Sequence, residues 1–124
     1  TGQFYSLLRK DDKFQISNAY DLRRSVMVET IKLDELIDDD FSIPDLMKVD
    51  IEEAEELMFD GAHKIVTNNK TIIIIETYNI NIIKLFKQNE YSVFLLDESS
   101  NYVFLPKKCI RLIDVFKRIY SEIY

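Results

Sequence analysis

The chain has 124 residues, of which 47% are apolar and 12% are aromatic, so it has the length and the apolar content of one folded domain. Its 16 basic residues against 22 acidic ones leave a net charge of −6. A molecule with that charge repels phosphate backbones and anionic lipids, so we expect neither a nucleic acid nor a membrane among its partners.

Glycine, cysteine and histidine are scarce, which excludes several kinds of site. The only glycines are Gly2 and Gly61, and they cannot form a glycine-rich phosphate loop. The single cysteine, Cys109, excludes an intrachain disulfide, and the single histidine, His63, excludes a histidine-based metal cluster. The longest wholly apolar runs, such as 72–75, have four residues, far fewer than the roughly 20 that span a bilayer. No signal-peptide pattern is present, so we predict a cytoplasmic protein.

In the first part of the chain, the pattern predicts strands that alternate with a helix. Residues 1–25 carry scattered apolar residues and turn signals, which leave their structure open. A β-rich segment at 26–31 predicts a strand, and the apolar spacing over 33–37 predicts a short helix. Pro44 cannot donate to a strand ladder, so the next strand is predicted after it, over 46–51.

The middle of the chain gives the clearest indication of fold class. Apolar residues fall on one helical face from residue 52 to residue 66, which predicts a helix of about four turns with Gly61 near its end. Residues 71–75 are β-branched without polar alternation. That pattern is typical of a strand covered on both faces, which mostly occurs in a parallel sheet flanked by helices.

The last part of the chain predicts a helix, a hairpin and a further helix. Asn81 can cap a helix over 82–86, and the segments 91–96 and 102–105 flank a polar turn as a hairpin does. Helical spacing of apolar residues over 110–123 predicts an amphipathic helix that reaches the chain end. The order of these elements predicts an α/β sheet with a reversed edge strand.

One run of sequence resembles a known family. Residues 45–55 read Asp-Leu-Met-Lys-Val-Asp-Ile-Glu-Glu-Ala-Glu, and Gly61-Ala62 follow. This is similar to the hallmark of the FkbM-type S-adenosylmethionine-dependent methyltransferases. Their run reads Asp-hydrophobic-hydrophobic-Lys-hydrophobic-Asp-hydrophobic-Glu-Gly-Ala-Glu. A helix that ends near Gly-Ala follows it.

Further segments agree with the family pattern in order and spacing. They resemble its Thr-Leu-Asp segment, its apolar strand ending in glutamate and its closing strands, and they lie at 30–36, 72–76, 89–91 and 102–106. The resemblance covers roughly residues 26–106. It implies that residues 1–124 form a single domain like the C-terminal part of a Rossmann-like methyltransferase sheet. In that sheet, helices flank parallel strands, a hairpin forms an antiparallel edge, and 107–124 form a closing helix.

The sequence departs from the family pattern in two ways. Glu53 stands where the family has glycine, at the turn from strand to helix. The family's N-terminal half, with its glycine loop for the cofactor, has no counterpart, so we expect a piece of a longer protein or a remnant. We therefore expect no tight binding of S-adenosylmethionine by this chain alone. An unpaired inner strand edge should also be covered by a missing N-terminal segment or by a second copy in a homo-oligomer.

Three acids are candidate catalytic residues. Asp50 and Glu76 end consecutive predicted strands, and ligands in open parallel sheets lie beyond the carboxyl ends of the strands. Glu55 is acidic in the family too. Such carboxylates can orient an acceptor hydroxyl, accept its proton or hold a divalent cation. In the alternative, Asp50 serves the helix dipole, Glu76 caps a loop and Glu55 faces solvent. Neither cofactor-binding nor metal-binding residues are predicted, and Tyr78 could line an acceptor pocket.

Two functions therefore stay open, with a third behind them. The resemblance implies part of an O-methyltransferase that uses S-adenosylmethionine and methylates a small molecule or a glycan. The alternative is a non-catalytic interaction or assembly module derived from the methyltransferase fold. An unrelated small α/β binding domain with a chance motif is the third hypothesis.

Overall fold

The computed structural model describes residues 5–10, 13–18, 21–39 and 41–124. The chain divides into two compact units, Thr1–Lys32 and Leu33–Tyr124. The candidate site residues all belong to the second unit.

The described part of the first unit is a small antiparallel sheet. Its strands are β1 (Tyr5–Lys10), β2 (Lys13–Asn18) and β3 (Asp21–Glu29), paired in that order. The strand predicted over 26–31 is therefore present but begins and ends earlier, and it pairs with β2 instead of leading into a parallel sheet. These strands follow one another too closely for parallel crossovers, which need a dozen or more residues.

The second unit alternates helices and strands around a five-stranded sheet. Its elements are α1 (Leu33–Asp39), β4 (Leu46–Val49), α2 (Glu55–Asp60), α3 (His63–Asn68), β5 (Ile72–Glu76), α4 (Ile80–Gln88), β6 (Tyr91–Leu95), β7 (Asn101–Pro106), α5 (Ile110–Ile119) and β8 (Ser121–Ile123). The strand order is β4-β5-β7-β6-β8. In the described sheet, β4 and β5 are parallel and the other neighbouring pairs are antiparallel. This mixed α/β architecture is consistent with a methyltransferase-like fold.

The single helix predicted over 52–66 is wrong, because two six-residue helices occupy this segment. The backbone N–H of Gly61 donates to the Met58 carbonyl at 3.1 Å, which closes α2. The second helix, α3, then begins at His63. Its first amides bind the carboxylate of Asp34, a residue distant in sequence. An apolar face continues across such a break, so periodicity alone does not reveal it.

The N-cap predicted at Asn81 lies two residues earlier. Asn79 has an extended backbone, and its Oδ1 accepts the backbone N–H of Asn81 at 2.9 Å. Asn81 therefore lies inside the first turn of α4. Both residues are asparagines with a helix after them, so the sequence pattern fits either position.

The closing helix is also shorter than predicted. It ends at Ile119, Tyr120 is extended, and β8 pairs antiparallel with β6 at the sheet edge. Ile123 packs against the main core. The predicted hairpin is confirmed by β6 and β7, although β7 lies inside the sheet, between β5 and β6.

Apolar side chains cover both faces of β5, as its sequence predicts. Ile73 and Ile75 are fully buried in the core beneath α2, α3 and α4. Ile72 and Ile74 pack on the opposite face, in a cluster that includes Ile113 of α5. The continuous β-branched run thus reflects burial on two sides, even though β5 has one parallel and one antiparallel neighbour.

Candidate functional site

The parallel pairing of β4 and β5 brings two of the predicted acids to one edge of the sheet. Val49 and Ile75 are register partners, and Asp50 and Glu76 are the next residues along each strand direction. Neighbouring strands lie about 4.8 Å apart, so the two backbones that carry these acids are adjacent at the carboxyl ends of the strands. The register therefore brings the backbones of Asp50 and Glu76 to the same edge of the sheet.

Asp50 presents an accessible carboxylate that already has a cationic neighbour. The Lys48 Nζ lies 3.6 Å from the Asp50 Oδ2, and the two side chains are 71% and 51% exposed. A pair this exposed contributes little to folding, because water screens both charges. Lys48 is therefore held at the surface by an acid and does not form a buried ion pair.

Glu55 is placed differently from the solvent-facing alternative described above. It is the first residue of α2 and is only 4% exposed. Among the described residues, every side-chain oxygen that is fully shielded from solvent has a hydrogen-bond partner. The Glu55 carboxylate forms no hydrogen bond with these residues, so its oxygens are not fully shielded from solvent. The stem of Glu55 is therefore buried while the tip of its carboxylate reaches the surface. The interpretation as a freely solvated acid is wrong.

Glu76 is half-buried and lies opposite Asn101 of β7. The loop after it is organised by other residues. The N–H of Thr77 donates to the Ser100 carbonyl at 3.1 Å, and the Thr77 Oγ1 accepts the N–H of Asn79 at 3.1 Å. Within the described chain, the Glu76 carboxylate takes no part in these loop bonds. The capping alternative for Glu76 is therefore not what the structure shows.

A fourth acid, Glu56, forms a network that sequence reasoning missed. Its Oε2 accepts the Asn79 Nδ2 at 3.1 Å, and its Oε1 accepts the Asn81 Nδ2 at 3.4 Å. The first turn of α2 is thereby bonded to the loop that follows β5. The Asn-x-Asn spacing before a helix is a weak signal for such a contact, since it equally fits a capping role.

The turn between β4 and α2 has an unusual backbone. Glu52 and Glu53 have φ angles of 41° and 67°, in the left-handed region that favours glycine. Glu53 occupies the position at which the FkbM pattern has glycine. The pattern's glycine thus coincides with a conformational need that this chain meets with a glutamate.

The described residues do not gather the acids into a metal site. No group of three or more His, Cys, Asp or Glu side chains that could hold a metal ion exists in the described part of the chain. His63 donates its backbone N–H to Asp34 at the start of α3, and Cys109 is a half-buried free thiol.

None of the described helices is both long and apolar enough to cross a membrane.

Comparison with known proteins identifies a family. The family model for the Methyltransferase FkbM domain matches residues 2–104, which is most of the chain. No curated protein and no solved structure gives a significant match to this sequence.

Proposed function

The chain belongs to the FkbM methyltransferase family, and we propose that it is part of an S-adenosylmethionine-dependent O-methyltransferase. We propose further that its sheet belongs to a Rossmann-like methyltransferase sheet. The observation that supports a catalytic role most directly is the parallel register of β4 and β5, which brings the backbones of Asp50 and Glu76 to adjacent strand ends at the carboxyl edge. We also propose a cytoplasmic location, which fits the single cysteine of the chain because one cysteine allows no intrachain disulfide.

The proposed role of these acids concerns the methyl acceptor, a hydroxyl of a small molecule or a glycan. A carboxylate at hydrogen-bond distance can fix the direction of a hydroxyl and can accept its proton. Asp50 is exposed enough to meet a ligand, and Glu76 is half-buried at the adjacent strand end. Glu55, whose stem is buried and whose tip reaches the surface, begins the helix that follows the same edge.

The described residues do not fit S-adenosylmethionine by themselves. In the described chain, Gly61 is buried at the end of α2 with a φ of −98°, and no glycine has a positive φ. The left-handed positions of the turn after β4 are occupied by Glu52 and Glu53, whose side chains would crowd and repel an approaching carboxylate. We therefore expect weak binding, with a dissociation constant above about 1 μM in titration calorimetry of this chain.

The test is a methyl-transfer assay on the complete protein with Asp50→Asn. Loss of a positioned acid–base group typically lowers turnover by a factor on the order of 10²–10⁴. We expect a loss in that range with little change in melting temperature, because the Lys48–Asp50 pair is exposed. Asp45→Asn is a matched control. Asp45 is also an exposed aspartate paired with a lysine, Lys70 at 3.1 Å, but it precedes β4 instead of following it.

The outcomes separate the proposed roles. An Asp50→Asn variant with normal turnover and a large loss of melting temperature would show that Asp50 serves the strand and helix junction. Equal losses in Asp50→Asn and Asp45→Asn would contradict a site at the carboxyl edge. A wild-type protein that binds no S-adenosylmethionine and transfers no methyl group would favour the non-catalytic assembly module.

A further inference from the structure

The loop after β5 is held in place by side chains and not by regular secondary structure. Thr77 and Asn79 bind one another across Tyr78, and the Asn79 side chain caps the start of α4. The remaining side-chain contacts of this loop lead out of it to α2, through the two asparagine amides that converge on Glu56. One carboxylate therefore uses both of its oxygens to bind the loop to the helix that follows β4.

The two segments joined by Glu56 are those that carry the candidate site. Asp50 and Glu55 flank the turn between β4 and α2, and Glu76 immediately precedes the bonded loop. Tyr78, between the two loop residues that bind each other, is 84% exposed. A side chain this exposed adds little to the core, so packing does not explain why the loop presents the Tyr78 ring to solvent two residues after Glu76.

We infer that Glu56 is a positioning residue for the methyl acceptor. By binding Asn79 and Asn81, it fixes the loop that carries Tyr78 relative to the turn that carries Asp50. This inference rests on the proposed function, since it assumes that the acceptor binds at this edge. Glu56 itself contacts the asparagines and acts through them.

The geometry suggests why a carboxylate is suited to this position. Each Asn side chain presents an NH2 group to Glu56, and an ionised carboxylate offers an acceptor oxygen to each. A glutamine in its place would turn its own NH2 group towards one of these donors and lose that bond. An aspartate at position 79 would restore it, because its carboxylate could accept from the glutamine and still accept the N–H of Asn81.

The experiment compares Glu56→Ala, Glu56→Gln and the double variant Glu56→Gln with Asn79→Asp, in the complete protein. Amide hydrogen exchange at Asn81 and Ile82 reports the loop, and KM and kcat for the acceptor report its consequence. We expect Glu56→Ala to accelerate exchange about three- to tenfold, as the loss of two exposed hydrogen bonds should. In Glu56→Ala we expect KM to rise by a similar factor, with a smaller change in kcat. The double variant should recover most of the wild-type exchange rate and most of the wild-type KM.

Asp60→Ala is the matched control. Asp60 is an exposed acid of the same helix, and its side chain forms no hydrogen bond or ion pair within the described residues. This control should leave exchange and KM unchanged. Unaltered exchange in Glu56→Ala would overturn the inference whatever the activity. Faster exchange with an unchanged KM would also overturn it, because Glu56 would then support the loop without affecting the acceptor.

The two proposals fail in different ways. Hydrogen exchange needs neither acceptor nor cofactor, so it tests the link from Glu56 to the loop even in an inactive protein. A wild type that transfers no methyl group would overturn the proposed function and the acceptor role of Glu56 with it. An active wild type whose Glu56→Ala variant keeps its KM would overturn the inference alone.

Discussion

The left-handed turn after β4 is a backbone feature that follows from single residues. A side chain in this conformation brings its Cβ close to the following carbonyl oxygen, at a cost of roughly 1–2 kcal/mol. Glu53, with φ 67°, bears this cost at an exposed position. Glycine avoids it, although glycine also gains entropy in the unfolded chain.

We therefore expect Glu53→Gly to raise the free energy of unfolding by about 0.5–1 kcal/mol. Urea unfolding of both proteins measures the difference. Glu98→Gly is a suitable control, since Glu98 is an exposed turn residue whose φ is not positive. It should be neutral or slightly destabilising. If Glu53→Gly proves less stable than the wild type, Glu53 must form interactions that outweigh its backbone conformation.

Tyr91 makes stability sensitive to alkaline pH. Its side chain is 1% exposed, and burial, with a smaller contribution from Cys109, raises its pKa from 10.0 to about 12. The unfolded chain therefore releases this proton first, so the native state loses stability as pH rises from about 10 to about 12. A shift of this size corresponds to a loss of about 2–3 kcal/mol.

Replacing Tyr91 by phenylalanine should remove that part of the pH dependence. Urea unfolding at pH 8 and at several values between pH 10 and pH 12 should give a flatter profile for Tyr91→Phe. At pH 8 the loss should be small, because the hydroxyl forms only one long hydrogen bond, 3.5 Å to the Ile65 carbonyl. Tyr78→Phe, at a surface ring, is the control. Parallel profiles for Tyr91→Phe and wild type would refute the assignment.

At the scale of elements, Asp34 links two helices that lie far apart in sequence. Its carboxylate accepts the N–H of His63 at 3.0 Å and the N–H of Lys64 at 2.9 Å, so a residue of α1 caps α3. Its own N–H donates to the Gly61 carbonyl at 2.9 Å. The segment 30–36, which resembles the Thr-Leu-Asp segment of the family, thus supplies the cap of α3. This cap lies where the predicted long helix is interrupted.

We expect Asp34→Ala to lower the free energy of unfolding by about 1–2 kcal/mol, because it leaves two helix N–H groups without their carboxylate. Glu35→Ala changes the neighbouring acid, which is exposed in the same turn, and should have almost no effect. Thermal unfolding monitored by circular dichroism compares the two. A loss of equal size in both variants would show that helix propensity or net charge, and not capping, is responsible.

These contacts explain which elements the sequence predicts well. The strand β5 is recognisable because its run of isoleucines records burial on two faces, and the β6–β7 hairpin because a polar turn separates two apolar runs. The break at Gly61 depends on Asp34, and the end of α5 depends on pairing with β6. Contacts with distant residues determine these boundaries, and local spacing does not contain them.

At the scale of the whole molecule, the pairing of strands determines how much of the site can be predicted from the sequence. Asp50 and Glu76 can be placed together from sequence, because both end strands that a helical segment connects in parallel. The network of Glu56 cannot be placed in this way, since it depends on how α2 and the loop after β5 approach each other. The burial of Glu55 likewise follows from the packing of α2 and not from its position in a first turn.

The same sheet leaves a surface that should drive self-association. In the described residues no strand pairs with the outer edge of β4, and Leu46 at its start is 61% exposed. The apolar face of α5 contributes less than its pattern suggests, because Ile113 packs against the sheet and is 7% exposed. Ile110 and Ile119, at the two ends of α5, are each 66% exposed and are further candidate contacts.

We expect light scattering of the 124-residue chain at high concentration to give a mass above the 14.7 kDa monomer. A free strand edge combined with an exposed leucine favours pairing of two β4 strands, so Leu46→Lys should shift the mass towards the monomer. Ile119→Lys should leave it unchanged if the edge of β4 is the contact. If Ile119→Lys lowers the mass and Leu46→Lys does not, the contact lies on α5. A clean monomer at high concentration would contradict the predicted self-association, because the open edge would then be tolerated in solution.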